Sequence, residues 1–241
     1  MRRLIHVPIV HDEADLGMAG PALMAETVRL AGTARWTAHT ETLDRYWAEV
    51  AVFLQSLDAR QLKLYQDGLP VGGSVGRVIV EEAARRGSRN YQLLLDLIGR
   101  GAELRITEDP ALLWQERDRL ARETSTTQPG SGRASEHRAV PDPEERGRLL
   151  RERDEFIART IDATLKEGEV GILFLGAEHE ATARLAPDIA VEPLKDPGLV
   201  RAYFQALFSP SHNSELARLA SDLASPLGER ATRSGRQPRN G

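Results

Sequence analysis

The sequence predicts an α/β fold with a largely parallel central sheet of about four to six strands flanked by helices. Short β-branched or apolar runs alternate with amphipathic segments along the chain, which is typical of strands joined by helical crossovers. One run, VGILFL at Val170–Leu175, is apolar at nearly every position. A strand of this kind is covered on both faces, so we expect it to lie at the centre of the sheet.

Each element is predicted from its own pattern. The strand candidates are short apolar runs, the fifth weaker than the others: Leu4–Val10, Leu62–Tyr65, Ala102–Ile106, Val170–Leu175 and Ile189–Leu194. The helix candidates show apolar residues at steps of three and four: Pro21–Leu30, Thr40–Leu57, Val75–Arg86, Arg89–Ile98, Pro110–Ala121, Pro143–Lys166, Gly198–Phe208 and Ser214–Leu223. Asp109 and Asp142 each precede a proline, which predicts an N-cap followed by proline in the first helical position.

The 241 residues predict one α/β domain over residues 1–208. Residues 123–142 are rich in Ser, Thr, Gly and Pro and predict a flexible insertion, because they offer little apolar surface to bury. Residues 209–241 predict a short helix followed by a disordered tail.

Composition narrows the function classes. The net charge is −4 and only 5% of residues are aromatic, so neither a basic stripe nor a stacking platform favours nucleic acid as a partner. No apolar run reaches the roughly 18 residues of a membrane helix. The chain has no cysteine, which excludes disulfides, thiolate metal sites and a cysteine nucleophile. We therefore expect a cytoplasmic protein that acts on, or binds, a small molecule.

Polar residues follow four of the predicted strands. In parallel sheets the ligand site lies beyond the carboxyl ends of the strands, so these side chains are the first candidates for chemistry. They are His11, Asp12, Glu13 and Asp15; Gln66 and Asp67; Thr107, Glu108 and Asp109; and Glu178, His179 and Glu180. Histidine and carboxylate are the groups of general acid–base catalysis and also the ligands of divalent metals. The alternative is that the acidic residues are helix N-caps, as Asp109 is expected to be.

The positions of the histidines in the predicted elements indicate different roles for them. His11 and His179 stand where a strand has just ended, which favours a functional role. His6 lies in the middle of a predicted strand and is most simply a packed residue. His39 and His212 are most simply surface or capping residues.

Arg153 interrupts the apolar stripe of the predicted helix Pro143–Lys166. Two explanations remain open for it. The side chain reaches solvent along the edge of the helix, or it extends over the sheet to pair with a strand-end carboxylate or an anionic ligand, because a buried guanidinium needs a partner.

Three common motifs are absent. DGLPVGGSVG at 67–76 lacks the letters of a phosphate loop, so its glycines are interpreted as turn residues. HEATA at 179–183 lacks the second histidine of HExxH, and no GxSxG elbow is present. These absences exclude a zincin and disfavour a serine hydrolase.

The order of the motifs resembles a known superfamily. An early strand that ends in His11, a helix that reads RDEFIA and a strand and turn that read GILFLGAEH are similar to the superfamily of erythromycin esterases, ChaN haem-binding lipoproteins, and TraB, pheromone-shutdown and Tiki proteins. The arginine–aspartate pair stands at Arg153 and Asp154, and GxxH at Gly176–His179. The first motif departs from the pattern, since VPIVH lacks its glycine.

The resemblance implies a cleft in which His11 and His179 face each other with Glu108 or Asp67 between them. It implies ester hydrolysis, metal-dependent peptide cleavage or ligand binding, and fold kinship does not choose among these.

From these observations the sequence predicts a metal-assisted hydrolase. His11, Asp67, Glu108 and His179 are the expected ligands of a divalent metal ion, and His11, Glu108, Arg153 and His179 are the expected catalytic residues. Glu13, Tyr65, Gln66 and Glu178 are expected to contact the substrate. The alternatives are a non-catalytic small-molecule or metal-binding sensor that uses the same cleft, and a protein-interaction surface.

Overall fold

A computed structural model describes residues 1–10, 28–29, 32–125, 142–209 and 213–227. The predicted helix Pro21–Leu30 falls almost entirely outside the described residues, as do His11 and Glu13. The predicted insertion at 123–142, the tail from residue 228 onward and His212 also lie largely or wholly outside them.

The centre of the fold is a five-stranded, all-parallel sheet. Its strands are β1 Arg2–Ile9, β2 Leu62–Gln66, β3 Glu103–Leu104, β4 Val170–Gly176 and β5 Ile189–Pro193. The spatial order is β3-β2-β4-β1-β5. The VGILFL strand therefore occupies the centre, as its continuous apolar sequence predicts, and the α/β fold class is confirmed.

Seven α-helices surround the sheet in the described part of the chain. They are α1 Thr33–Gln55, α2 Gly73–Arg85, α3 Arg89–Gly99, α4 Pro110–Ser125, α5 Pro143–Thr164, α6 Pro197–Phe208 and α7 Asn213–Leu223. The N-caps before the two prolines are confirmed: the Asp109 carboxylate accepts a hydrogen bond from the Ala111 amide at 2.7 Å, and that of Asp142 accepts from the Glu144 amide at 2.9 Å. None of these helices is long and apolar enough to span a membrane.

The two faces of the sheet are covered differently. The first face, with Ile5, Ile172 and Phe174, packs against α1, α2, α3, α6 and α7 in one large apolar core. The second face, with Leu4 and Leu173, packs mainly against α5 through a smaller cluster. Alternate residues of each strand point to opposite faces, so a strand-end side chain faces α5 when it is in phase with Leu4 or Leu173.

The interpretation of His39 as a surface or capping residue is wrong, since it lies within the helix α1 and is buried. His39 is only 2% exposed, and its Nδ1 forms a 2.8 Å hydrogen bond with the Tyr203 hydroxyl between α1 and α6. The helix α1 begins at Thr33, seven residues before the predicted start at Thr40, and this extra length carries His39 into the interface.

The chain connections change sides of the sheet at the carboxyl end of β4. The helices α1 and α2, which come after β1 and β2, lie on the first face. The short 3-10 helix Ala181–Arg184, which follows β4, packs against α5 on the second face. Because neighbouring strands send their connections to opposite faces, the end of β4 is the position at which ligands bind in this class of fold.

A glycine holds the loop that follows β2. Gly76 lies in the first turn of α2, and a Cβ there would overlap the Val71 carbonyl oxygen and lie 3.0 Å from Leu104 Cδ2. We expect Gly76→Ala to lower the free energy of unfolding by about 1–3 kcal/mol, because backbone must shift to admit the methyl group. Urea unfolding measures this change. Gly99→Ala is the control: a Cβ at Gly99 meets nothing within 4 Å, so it should be neutral or stabilising. Equal effects of the two changes would contradict the expectation.

Candidate functional site

Four charged groups and a histidine meet beyond the carboxyl end of β4. Asp67 directly follows β2, Glu108 lies between β3 and α4, and His179 lies in the turn after β4. Arg153 and Asp154 extend from α5. The strand ends and the covering helix thus contribute to a single cluster, and we call these five residues the acid–arginine cluster.

Arg153 is the centre of the cluster. Its Nη2 lies 2.6 Å from Glu108 Oε1 and 2.7 Å from Asp67 Oδ1, and its Nε lies 3.2 Å from Glu108 Oε2. The side chain is 12% exposed, and that of Glu108 is fully buried. The second explanation for Arg153 is confirmed: the guanidinium extends over the sheet and pairs with two strand-end carboxylates.

Asp67 ties two strands together. Its backbone amide donates to the Phe174 carbonyl at 2.9 Å, and its Oδ2 accepts a hydrogen bond from the Gly176 amide at 3.0 Å. One carboxylate oxygen therefore bonds to the end of β4, and the other bonds to Arg153. This arrangement fixes the carboxylate in a single orientation.

His179 is oriented by Asp154. Its Nδ1 lies 2.7 Å from Asp154 Oδ1, and Asp154 Oδ2 accepts a hydrogen bond from the Glu180 amide at 2.9 Å. An ionised carboxylate can only accept, so Nδ1 carries the proton and, in the neutral ring, Nε2 keeps its lone pair. That Nε2 lies 3.5 Å from Asp67 Oδ2.

Burial changes the protonation of the cluster. Burial raises the pKa of Glu108 to about 7, although Arg153 opposes the change and the charge of Asp67 adds to it. For His179, burial lowers the pKa, but the charge of Asp67 and the hydrogen bond to Asp154 outweigh it, so the net pKa is raised. Carboxylates outnumber the guanidinium in this cluster. It therefore has excess negative charge, which a proton or a cation can neutralise.

Three of these residues could hold a metal ion. Ligand atoms of Asp67, Glu108 and His179 all lie within 4.8 Å of one another. Two carboxylates and an imidazole form a donor set that suits borderline and hard divalent cations. The hydrogen bond that His179 Nδ1 donates to Asp154 is the outer contact that metal-binding histidines ordinarily have.

The other predicted contact residues lie elsewhere. The Tyr65 hydroxyl bonds to Thr164 Oγ1 at 2.9 Å beneath α5. The side chain of Gln66 is buried, and its Oε1 accepts from Asn90 Nδ2 at 3.3 Å. Glu178 is exposed, 3.8 Å from Arg146. The structure thus brings together Asp67, Glu108, Arg153 and His179 but leaves Tyr65, Gln66 and Glu178 outside the cluster.

Asp154 is the residue that the strand-end argument missed. It lies on a helix, and its carboxylate is 3% exposed. On the helical wheel it stands at the edge of the apolar stripe, where an acidic residue is ordinarily solvated. The sequence feature that indicates a role for Asp154 is its position next to Arg153 in the RD pair.

Removal of the Arg153 side chain should destabilise the folded protein. We expect Arg153→Ala to lower the free energy of unfolding by about 3–5 kcal/mol, because it leaves Glu108 and Asp67 buried without their partner. Denaturant unfolding measures this loss. The matched control is Arg159→Ala on the same helix, where the side chain is 69% exposed, and its effect should stay below about 0.5 kcal/mol. A similarly small effect of Arg153→Ala would show that the buried pair does not stabilise the fold.

The elevated pKa of Glu108 predicts a dependence of stability on pH. Its pKa of about 7 in the folded chain exceeds the usual 4.5, so the folded state binds this proton more tightly. The stabilisation is complete below pH 4.5 and is lost as the pH rises through about 7. Relative to that of Glu108→Gln, the free energy of unfolding of the native chain should fall by about 3 kcal/mol between pH 4.5 and pH 7.

Urea unfolding of both proteins at several pH values measures this difference. His179 is present in both, so its own contribution largely cancels in the comparison. Parallel pH profiles for the native chain and Glu108→Gln would show that Glu108 has an ordinary pKa.

Comparisons with known proteins give no match to this chain: no family model, no curated protein and no solved structure. The resemblance carried by the RD pair and the GAEH turn therefore stays a prediction. Any function assigned to the chain depends on the geometry of Asp67, Glu108, Arg153, Asp154 and His179.

Proposed function

We propose that this protein is a hydrolase that activates water at the acid–arginine cluster, with a divalent cation held by Asp67, Glu108 and His179. The observation that carries the proposal is the convergence of these three donors, within 4.8 Å of one another, at the carboxyl edge of a parallel sheet. The sequence predicts His11 as a further ligand and catalytic residue, and this residue lies outside the described part of the chain.

The donors fit such an ion with small movements. Zinc–ligand bonds of about 2.1 Å place tetrahedral ligand atoms roughly 3.4 Å apart. His179 Nε2 and Asp67 Oδ2 already lie 3.5 Å apart. Because Asp154 holds the proton of His179 on Nδ1, the Nε2 lone pair is available to the cation.

Each residue has a role that follows from its surroundings. A bound cation would lower the pKa of a water molecule and polarise a carbonyl or phosphoryl oxygen. Glu108 serves either as a ligand of the cation or as the general base: without a bound cation its pKa of about 7 suits proton transfer near neutral pH, whereas coordination would lower that pKa. Arg153 orients the two carboxylates, which compensate its positive charge.

A non-catalytic binding protein is the second candidate. Glu108 is fully buried, and both of its oxygens contact Arg153. Both oxygens of Asp67 are also engaged, one by Arg153 and one by the Gly176 amide. Because these carboxylate oxygens are already bonded within the protein, the cluster has fewer groups free to contact a substrate. This observation supports a metal or small-molecule sensor as the second candidate.

Metal analysis of protein purified without chelator tests the site. The native chain should retain a divalent metal in near-stoichiometric amount, and His179→Ala should lose it because the only nitrogen donor of the set is removed. Asp154→Asn should lower the metal affinity about 10- to 100-fold, because the outer contact of the histidine changes. Glu178→Gln is the matched control on the same turn, since Glu178 is exposed, and should bind as the native chain does.

Activity assays then separate the two candidates. A panel of esters, amides and phosphoesters should reveal turnover that disappears in His179→Ala and Glu108→Gln but persists in Glu178→Gln. Stoichiometric metal without turnover would favour the sensor. Metal and turnover that survive in His179→Ala would refute the hydrolase as proposed.

A further inference from the structure

We propose that Arg201 forms an anion-binding subsite beside the acid–arginine cluster, so that the substrate carries a carboxylate or phosphate group. The substrate assignment rests on the proposed function, whereas the subsite itself does not. Arg201 lies in α6, and its Nη1 donates a 2.6 Å hydrogen bond to the Ala177 carbonyl. Ala177 belongs to the turn that contains His179.

The charge of Arg201 is not balanced within the described part of the chain. Its guanidinium forms no ion pair there, and its hydrogen bond goes to a neutral backbone carbonyl. Other well-buried arginines behave differently: Arg2 pairs with Asp188, Arg119 with Glu116 and Arg153 with Glu108. Arg201 differs from these three in that the partner of its guanidinium is a neutral carbonyl, and an anionic ligand would supply the missing negative charge.

The chemistry of the guanidinium sets the class of ligand. It presents five N–H donors in a planar fork, and the bond to Ala177 uses one of them. The remaining donors match the paired oxygens of a carboxylate or a phosphate. Partial burial strengthens such a contact, because water screens it less than at an open surface.

The subsite lies close to the cluster. Ala177 and His179 are separated by one residue, so their Cα atoms are at most about 7.6 Å apart. The turn brings them closer, because the His179 amide donates to the Gly176 carbonyl at 3.1 Å. The carbonyl that Arg201 contacts therefore lies in the same turn as His179, a separation that one small molecule spans.

An anion that binds beside the acid–arginine cluster requires an additional positive charge there. The cluster contains three carboxylates, those of Asp67, Glu108 and Asp154, against the guanidinium of Arg153 and the imidazole of His179, so without a bound cation it offers no surplus of positive charge to an anion. A second arginine beside it supplies that positive charge for a substrate with an anionic group. The structure thus favours anionic esters, amides or phosphoesters over neutral ones.

Titration with inorganic phosphate, followed by amide chemical shifts, tests the subsite without a known substrate. In the native chain the largest shifts should fall on residues 177–179 and in the first half of α6. Arg201→Gln should weaken phosphate binding about tenfold or more, since it removes a charge-assisted contact. Arg201→Lys keeps the charge but not the fork, and should weaken binding less.

The control is Arg184→Gln, which removes one positive charge from the 3-10 helix after β4, where Arg184 lies 3.7 Å from Glu155. It should bind phosphate as the native chain does. Shifts confined to other parts of the chain, no binding to the native chain, or equal binding by the native chain and Arg201→Gln would each overturn the subsite. If Arg201→Gln fails to fold, two results still test the subsite: the residues whose amide shifts change in the native chain, and the lower phosphate affinity of Arg201→Lys.

Metal content distinguishes the two proposals. Arg201 is not among the candidate ligands, so Arg201→Gln should retain as much metal as the native chain. Phosphate binding that depends on Arg201 in a chain without metal would uphold the subsite while refuting the metal-assisted hydrolase. If the native chain binds metal and Arg201→Gln has the same phosphate affinity as the native chain, the subsite is refuted and the metal site is upheld.

Discussion

The buried contact between Arg153 and Glu108 is the constraint on which the carboxyl edge of the sheet depends. Glu108 is fully buried, and its ionised form is tolerated only because the guanidinium lies 2.6 Å away. The same guanidinium contacts Asp67, so a single side chain on α5 joins the loops that follow β2 and β3. The position of α5 over the second face of the sheet is therefore coupled to the geometry of the cluster.

The turn after β4 is held from three directions. Asp67 accepts from the Gly176 amide, Arg201 donates to the Ala177 carbonyl, and Asp154 bonds to both the His179 ring and the Glu180 amide. A loop with so many external hydrogen bonds has little freedom to reorient. The imidazole of His179 is thus pre-organised, which reduces the cost of binding a ligand there.

Much of the fold could be predicted from local patterns because periodicity reports directly on burial. The continuous apolar run of β4 and the Asp–Pro caps of α4 and α5 each have a single simple explanation, and the structure confirms them. His39 could not be placed, because its burial depends on where α1 starts and on Tyr203 in α6, more than 160 residues away in sequence. Long-range partners leave no local trace.

The candidate site shows the same division. The strand-end rule predicts Asp67, Glu108 and His179, because parallel strands bring their carboxyl ends to one edge. It also selects Tyr65 and Gln66, whose side chains contact Thr164 and Asn90 outside the cluster. The alternation of side chains along β2 distinguishes these residues. Tyr65 and Asp67 lie on the face that α5 covers, but Tyr65 comes two residues earlier in the chain, within the strand. Gln66 lies on the opposite face.

Burial gives the cluster both its cost and its chemical value. Water at this edge would screen Arg153 from its carboxylates and return Glu108 to an ordinary acidity; removal of water strengthens each contact and raises the pKa of Glu108 to about 7. An apolar replacement of similar volume would avoid the desolvation cost, yet it would supply neither a proton acceptor near neutral pH nor a ligand for a cation. A stability argument alone therefore does not account for three carboxylates, an arginine and a histidine at one edge of the sheet, whereas the ligand site proposed above would.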